Sequence, residues 1–165
     1  MGTDGRKYFN RLLSSGALLE TATGSLHVHE SLLFRQLWDK LKQGDVMLAD
    51  RGFCSYAALA SLVQRGVDSV MRLHQKRRAD FRSGRMLGPD DRLVTWSKPA
   101  QRTEAWSVAE FAALPETLTL RMIRLQVAAK GFRTRTVVLM TTLLDAEVWC
   151  VVSSKERGYS SSGLK

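Results

Sequence analysis

Cysteine is nearly absent from the 165-residue sequence. Cys54 and Cys150 stand 96 positions apart, with no CxxC pair and no histidine close to either. That excludes a disulfide framework and a zinc ribbon, and it fits a reducing compartment. Long hydrophobic runs are missing as well. The longest, Val137 to Leu144, is interrupted by Thr141 and Thr142 and closed by Asp145, far short of the roughly 18 residues a membrane span requires. The opening MGTDGRKYFN lacks the apolar centre of a signal peptide. Proline is scarce, at 3, against 44% hydrophobic and 25% charged residues, so the chain has a globular composition rather than a disordered one. Its length suits one domain with a core of its own.

What is present is positive charge, in an uneven distribution. The net charge is +9, yet residues 1 to 71 balance 8 basic against 7 acidic side chains. Residues 72 to 102 carry 9 basic and 3 acidic groups, residues 103 to 120 only three glutamates, and residues 121 to 135 five basic groups with no acid. Clustered arginine suits a polyphosphate partner, because guanidinium forks match phosphate oxygens and neutralised phosphates release counterions. A solvated basic face has the same composition, and charge alone does not choose between them. Trp96 and Trp106 flank the first basic stretch, where they either stack on bases or belong to the core.

The hydrophobic periodicity predicts an α/β fold. Leu33, Phe34, Leu37, Trp38 and Leu41 follow the helical period, so a helix is expected over 30–42, with Gly44 as its C-cap. Val46 to Ala49 reads as a short strand buried on both faces. Tyr56, Leu59, Leu62 and Val63 give a second helix, capped by Ser55 and ended by Gly66. Val67 to Leu73 is the next strand, and the three elements together form a right-handed βαβ unit with parallel strands. Residues 74 to 91 read as a surface loop or lobe and 93 to 96 as a short strand. Leu118, Leu120 and Met122 alternate, then Ile123, Leu125 and Val127 alternate in the opposite phase, which predicts a strand bulged near 122–123. Lys130-Gly131 then turns the chain into a long strand over 134–144.

Asp50 is the sharpest chemical position. It follows a strand directly and precedes a helix, and open α/β sheets place ligands outside the carboxyl ends of their strands. A carboxylate there is a candidate oxygen ligand for a divalent metal; the alternative is that it satisfies turn amides. In His27-Val28-His29-Glu30 the two histidines would share one strand face, but no other histidine is closer than His74, and an isolated histidine pair is weak ground for a metal. No HExxH, phosphate loop or GxSxG is present.

Three stretches carry a resemblance. GDVMLADRGFCSYAALASLVQRGVDSVMRLHQKRRADFRSGRMLGPDDRLVTWSKP (44–99), ALLETATGSLHVHESLLFRQLWDKL (17–41) and LPETLTLRMIRLQVAAKGFRTRTVVLMTTLLDAE (114–147) resemble transposases of the insertion-sequence-four type. The ADRGF, GFRTRT and TTLLD blocks occur in that order, which makes the resemblance specific. It implies a partial ribonuclease-H-like core with a basic, β-rich insertion at 74–135, in a single domain over 1–147 whose first 16 residues match poorly. It also implies DNA as partner, a dimer on paired DNA ends, a cytoplasmic, nucleoid-associated location in bacteria, and metal-dependent phosphoryl transfer by an Asp-Asp-Glu triad using Mg²⁺ or Mn²⁺. Asp50 matches the second aspartate and is the expected catalytic residue and metal ligand. Arg77, Arg78, Arg82, Arg85, Arg133 and Arg135 are the expected DNA-binding residues.

The other two triad members have no counterpart. The first aspartate of the family lies in an Asp-Gly-Thr-like context well upstream, whereas Asp4 precedes Asp50 by only 46 positions in unlike surroundings. The glutamate of the family stands in Tyr-x2-Arg-x3-Glu-x6-Lys. After Asp50 the tyrosines are Tyr56 and Tyr159, followed three positions on by Leu59 and Ser162, and Glu156 has the wrong neighbours. The expectation is therefore a transposase fragment that is inactive alone, with serine-rich residues 148–165 an unstructured or out-of-frame tail. Its competitors are a non-catalytic basic DNA-binding module and a decayed reading frame.

Overall fold

The computed structural model describes residues 5–11, 18–25, 29–127 and 135–145. Strands β1 (Gly5–Arg11) and β2 (Leu18–Ser25) form an antiparallel pair of their own. Helix α1 (Glu30–Gln36) follows, its N-terminus capped by His29, whose Nδ1 accepts from the Ser31 amide at 3.2 Å. His29 therefore caps a helix rather than sharing a strand face with His27, which lies outside the described residues. The helix expected over 30–42 tightens into a 3₁₀ turn at Leu37–Lys40, and Leu41 is already extended. Gly44 does not cap it. At φ +88° it shapes a tight turn closed by the Asp45 amide on the Lys42 carbonyl, a conformation that favours glycine.

The next three elements are the expected βαβ unit. Strand β3 (Val46–Ala49) and strand β4 (Asp68–Arg72) pair in parallel, Val46 opposite Asp68 and Ala49 opposite Met71. Between them runs α2 (Tyr56–Gln64), whose first turn is held by Ser55 Oγ accepting from the Ala58 amide. Small residues let α2 lie close on the sheet: Ala57, Ala58 and Ala60 are buried along with Leu59 and Leu62. Gly66, at φ +69°, turns the chain back toward β4. One expectation fails here. Val46 and Leu48 are 46% and 47% exposed, so β3 is not buried on both faces. The cause is topological, since β3 ends the sheet and only Met47 and Ala49 of its side chains face the packed core.

That sheet has six strands in the order β3-β4-β8-β7-β6-β5, with β5 at Arg85–Gly88, β6 at Asp91–Ser97, β7 at Thr117–Val127 and β8 at Arg135–Thr141. All pairings beyond β3–β4 are antiparallel. The stretch expected as a loop over 74–91 contributes β5, and it buries Phe81 in the core. The bulge expected near Met122–Ile123 is absent, because β7 keeps unbroken register with both β6 and β8. The phase reversal has another cause. Leu120, Arg121, Met122 and Ile123 are buried in succession, so both faces of the strand are covered there. The Lys130-Gly131 turn lies outside the described residues.

A short helix, α3 (Val108–Ala112), precedes β7. It starts with a capping box in which Ser107 and Glu110 exchange side-chain and backbone hydrogen bonds. One core joins these parts: Trp38, Leu59, Leu62, Met71, Trp106, Leu120 and Met140 belong to a single cluster. The fold is mixed α/β, and the strands of the basic stretch continue the same sheet as the βαβ unit.

Candidate nucleic-acid interface

Asp50 stands where β3 ends, in extended conformation (φ −78°, ψ 171°), just before a 3₁₀ turn at Arg51–Phe53. Its carboxylate caps none of the turn amides. The turn is closed instead by main chain, with the Phe53 amide on the Asp50 carbonyl. Asp50 thus projects from the carboxyl edge of the sheet with its side chain 60% exposed, and its partner comes from the neighbouring strand end. Arg72, the last residue of β4, donates from Nη1 to Asp50 Oδ1 at 3.1 Å. Both groups are substantially exposed, so the pair contributes at most about 1 kcal/mol and is easily opened.

Beside this pair the sheet edge opens into a cleft of about 220 Å³. Arg51, Arg72, His74 and Arg77 line it, over an apolar floor that includes Leu73 and Val138. The Leu73 amide binds the Val138 carbonyl at 2.7 Å, which ties β4 to β8 beneath the opening. Arg77 lies with its guanidinium carbon 3.9 Å from the centre of the Trp96 ring, a cation–π contact that orients the cation. Cys54 is buried close by. Burial pushes its thiol up to about 11, which leaves it a small core residue rather than a nucleophile.

The cations expected to meet DNA divide into two groups. Arg77 belongs to the cleft with Asp50. Arg78 is exposed on the loop after β4. Arg82 is almost fully exposed and hydrogen-bonds Asp80, holding that carboxyl below its ordinary range through the Arg82 backbone and side-chain N–H groups. Arg85 opens β5, at the opposite edge of the sheet from β3. Five strand spacings separate those edges, or about 24 Å. Arg135 opens β8, but its side chain and all of Arg133 lie outside what is described.

Five other cations of the two basic stretches are tied to the fold's own carbonyls and carboxylates. Arg92 donates to the carbonyls of Phe81 and Gly88, Lys98 to those of Ala112 and Leu114, and Arg102 to that of Trp106. Arg121 is 4% exposed and clasps Asp91, and Arg124 pairs with Asp90 while stacking on Phe81. These five fasten the fold. The tryptophans separate likewise. Trp106 is core, its Nε1 donating to Ser61 Oγ at 3.0 Å, whereas Trp96 is half-buried beneath Arg77. Sequence reasoning missed Arg51, Arg72 and His74. The rule that singled out Asp50, applied to the end of the second parallel strand, points to Arg72 as well.

The family model described as the transposase DDE domain matches residues 13–154 of the chain. The chain belongs to the transposase DDE domain family. No curated protein matches it. Membership implies transposition-related DNA cleavage and strand transfer, with DNA as substrate and a divalent metal in use. Among the described residues of this DDE domain, no three His, Cys, Asp or Glu side chains gather at metal-binding distance. One oxygen of Asp50 is already taken by a guanidinium. The described residues therefore do not by themselves fit a metal centre. No helix among them is long and apolar enough to cross a membrane.

Proposed function

We propose that this DDE domain engages DNA at the carboxyl edge of β3 and β4, on a partial ribonuclease-H-like core, and performs no strand chemistry as an isolated chain. The observation that carries the reading is Asp50. It projects from the end of a parallel strand without capping any amide, and it adjoins a cleft lined by cations. By family resemblance Asp50 is one carboxylate of an Asp-Asp-Glu set. The sequence offers neither the Asp-Gly-Thr context nor the Tyr-x2-Arg-x3-Glu-x6-Lys context for the other two. A single carboxylate is a poor anchor for Mg²⁺, which is usually held by one or two carboxylates together with substrate phosphates.

The domain keeps the means to hold DNA. Arg78, Arg82 and Arg85 extend the cationic surface away from the cleft toward β5. A strand reaching from the Asp50 edge to the β5 edge covers about 24 Å, or about seven base steps at 3.4 Å each. This supports binding through the backbone, with little dependence on sequence. Supercoiled plasmid incubated with the purified chain and Mg²⁺ tests the chemistry, and retarded migration of a labelled duplex tests the binding. The expected result is retention that weakens steeply with salt, without nicking. Arg78→Gln, Arg82→Gln and Arg85→Gln together should lower the salt slope by about 3. Mg²⁺-dependent nicking that disappears in Asp50→Ala would refute the inactivity.

A further inference from the structure

We infer that β3 is the pairing edge of a homodimer, in which β3 of a second copy adds antiparallel about a two-fold axis at Met47. The association needs no DNA and does not rest on the function proposed above.

The main chain supplies the first argument. β3 ends the six-stranded sheet, and among the described residues no strand pairs with its outer side. The Asp68 amide donates to the Asp45 carbonyl at 2.9 Å, which fixes the phase of the parallel ladder with β4. Successive residues of a strand turn their N–H and C=O groups to opposite sides, so Asp45, Met47 and Ala49 face β4. The N–H and C=O groups of Val46 and Leu48 therefore point to the open edge, a template for another strand.

The side chains supply the second. Val46 and Leu48 are 46% and 47% exposed, on the face opposite Met47. Val46–Ala49 contains no charge and no proline, so apart from its shortness it carries none of the devices that keep an edge from pairing. Parallel strands of this composition are ordinarily covered on both faces.

The choice of a second copy as the occupant rests on self-complementarity. With two β3 strands antiparallel and centred on Met47, each Val46 stands directly opposite Leu48 of the other copy. That is an apolar cross-strand pair made twice, and each pair exchanges both of its N–H···O=C bonds. The charges agree with this orientation. Asp45 immediately precedes the strand and Arg51 follows its end, and Arg51 has no ion-pair partner among the described residues. Antiparallel pairing brings Arg51 of each copy toward Asp45 of the other, whereas parallel pairing sets like charge against like.

The far edge of the sheet argues against an open chain of copies. β5 begins with Arg85 and loses register between Met86 and Gly88, which blunts it as a pairing edge. A β3–β5 contact would repeat without end, while β3 with β3 closes at two copies. The contact is small, well under the roughly 1,000 Å² of a stable interface, so the dimer is weak and exchanges with monomer.

Sedimentation equilibrium of the full, DNA-free chain, with reductant present and from low micromolar to millimolar concentration, reads the association. Amide hydrogen exchange locates it. The expected result is a concentration-dependent dimer, with exchange at Val46 and Leu48 slowing several-fold as it fills and exchange at Met47 and Ala49 unchanged. Leu48→Lys places an ammonium group from each copy at the contact and should leave a monomer at every concentration. Its melt should match that of the parent chain, because the site is half exposed. Val46→Glu added to Leu48→Lys sets a carboxylate opposite each ammonium and should restore the dimer. A chain that stays monomeric to millimolar concentration overturns the inference. A dimer that survives Leu48→Lys also overturns it, and moves the contact to another exposed apolar residue such as Val63 or Val108. A dimer that forms only on added duplex, with Val46 and Leu48 still exchanging freely, overturns it too and leaves the DNA reading standing.

Discussion

Arg121 lies in a stretch of five cations without an acid, where charge alone would place it on a DNA-facing surface, yet its side chain is 4% exposed. Its Nε donates to both carboxylate oxygens of Asp91 at 2.9 and 3.1 Å, and Nη2 reaches Oδ2 at 2.5 Å. Nη1 donates to the Asp145 carbonyl at 2.8 Å, so the guanidinium joins β7, β6 and the segment after β8. Arg121→Met removes the cation and leaves Asp91, 19% exposed, without that compensation. Breaking a buried pair from one side costs about 3–5 kcal/mol. For a chain of this length each kcal/mol moves the midpoint by about 2–4 °C, so the melting temperature should fall by about 6–20 °C. Arg121→Met with Asp91→Leu removes both charges and should recover most of the loss. Urea denaturation of the single and double variants measures the coupling directly. If Arg121→Met costs less than about 1 kcal/mol and instead lowers the salt slope of DNA binding, the division into structural and DNA-facing arginines is wrong.

Three further outcomes are expected. Gly84 has φ +82°, and a Cβ there would stand 2.2 Å from the Leu93 carbonyl oxygen, so Gly84→Ala should cost about 2 kcal/mol or more, read by urea denaturation. The Arg35 guanidinium and the Ser107 N–H hold the Glu110 carboxyl down at about 2, so its contribution is complete above about pH 4.5 and is lost as the pH falls toward 2. Because that carboxylate is 46% exposed, the stability at stake is about 1 kcal/mol, and Glu110→Gln should flatten the acid limb of the pH–stability curve by that amount. In a Cys150→Ser chain, Cys54, buried and with its thiol pushed up to about 11, should resist a thiol reagent at pH 8 until the chain unfolds; labelling of that native protein at the rate of a free thiol would contradict the burial of Cys54.

The βαβ unit was legible in the sequence because its signals are local: an apolar run of strand length, a serine cap, a helical period and a glycine turn, all within residues 46–72. The exposure of Val46 and Leu48 was not legible, since it depends on β3 standing at the end of the sheet, which no local pattern encodes. The reversal of phase in β7 was misread for a related reason. An alternation that breaks at Met122 has the same pattern whether the chain bulges or whether both faces are covered there. Helix α3 escaped because it has five residues, too few for a period to register, although the Ser107–Glu110 spacing of its capping box is a usable signal.

The candidate site divides along the same line. Asp50 could be found from one strand end, but the cleft needs Arg72, 22 positions later, and Arg77 stacked on Trp96, which only the parallel register and the returning β6 bring into place. Charge counting could find the basic stretches but not sort them, because the partners of Arg92, Arg121 and Arg124 lie 11, 30 and 34 positions away. What sorts them is burial. A guanidinium that donates to a buried carbonyl or carboxylate is expensive to withdraw, so it stays with the fold. One held by nothing but an exposed carboxylate can change partners at a cost of about 1 kcal/mol. By that criterion Arg72, at the end of β4, can change partners, and it stands beside Asp50, the carboxylate that the family resemblance singles out at this edge.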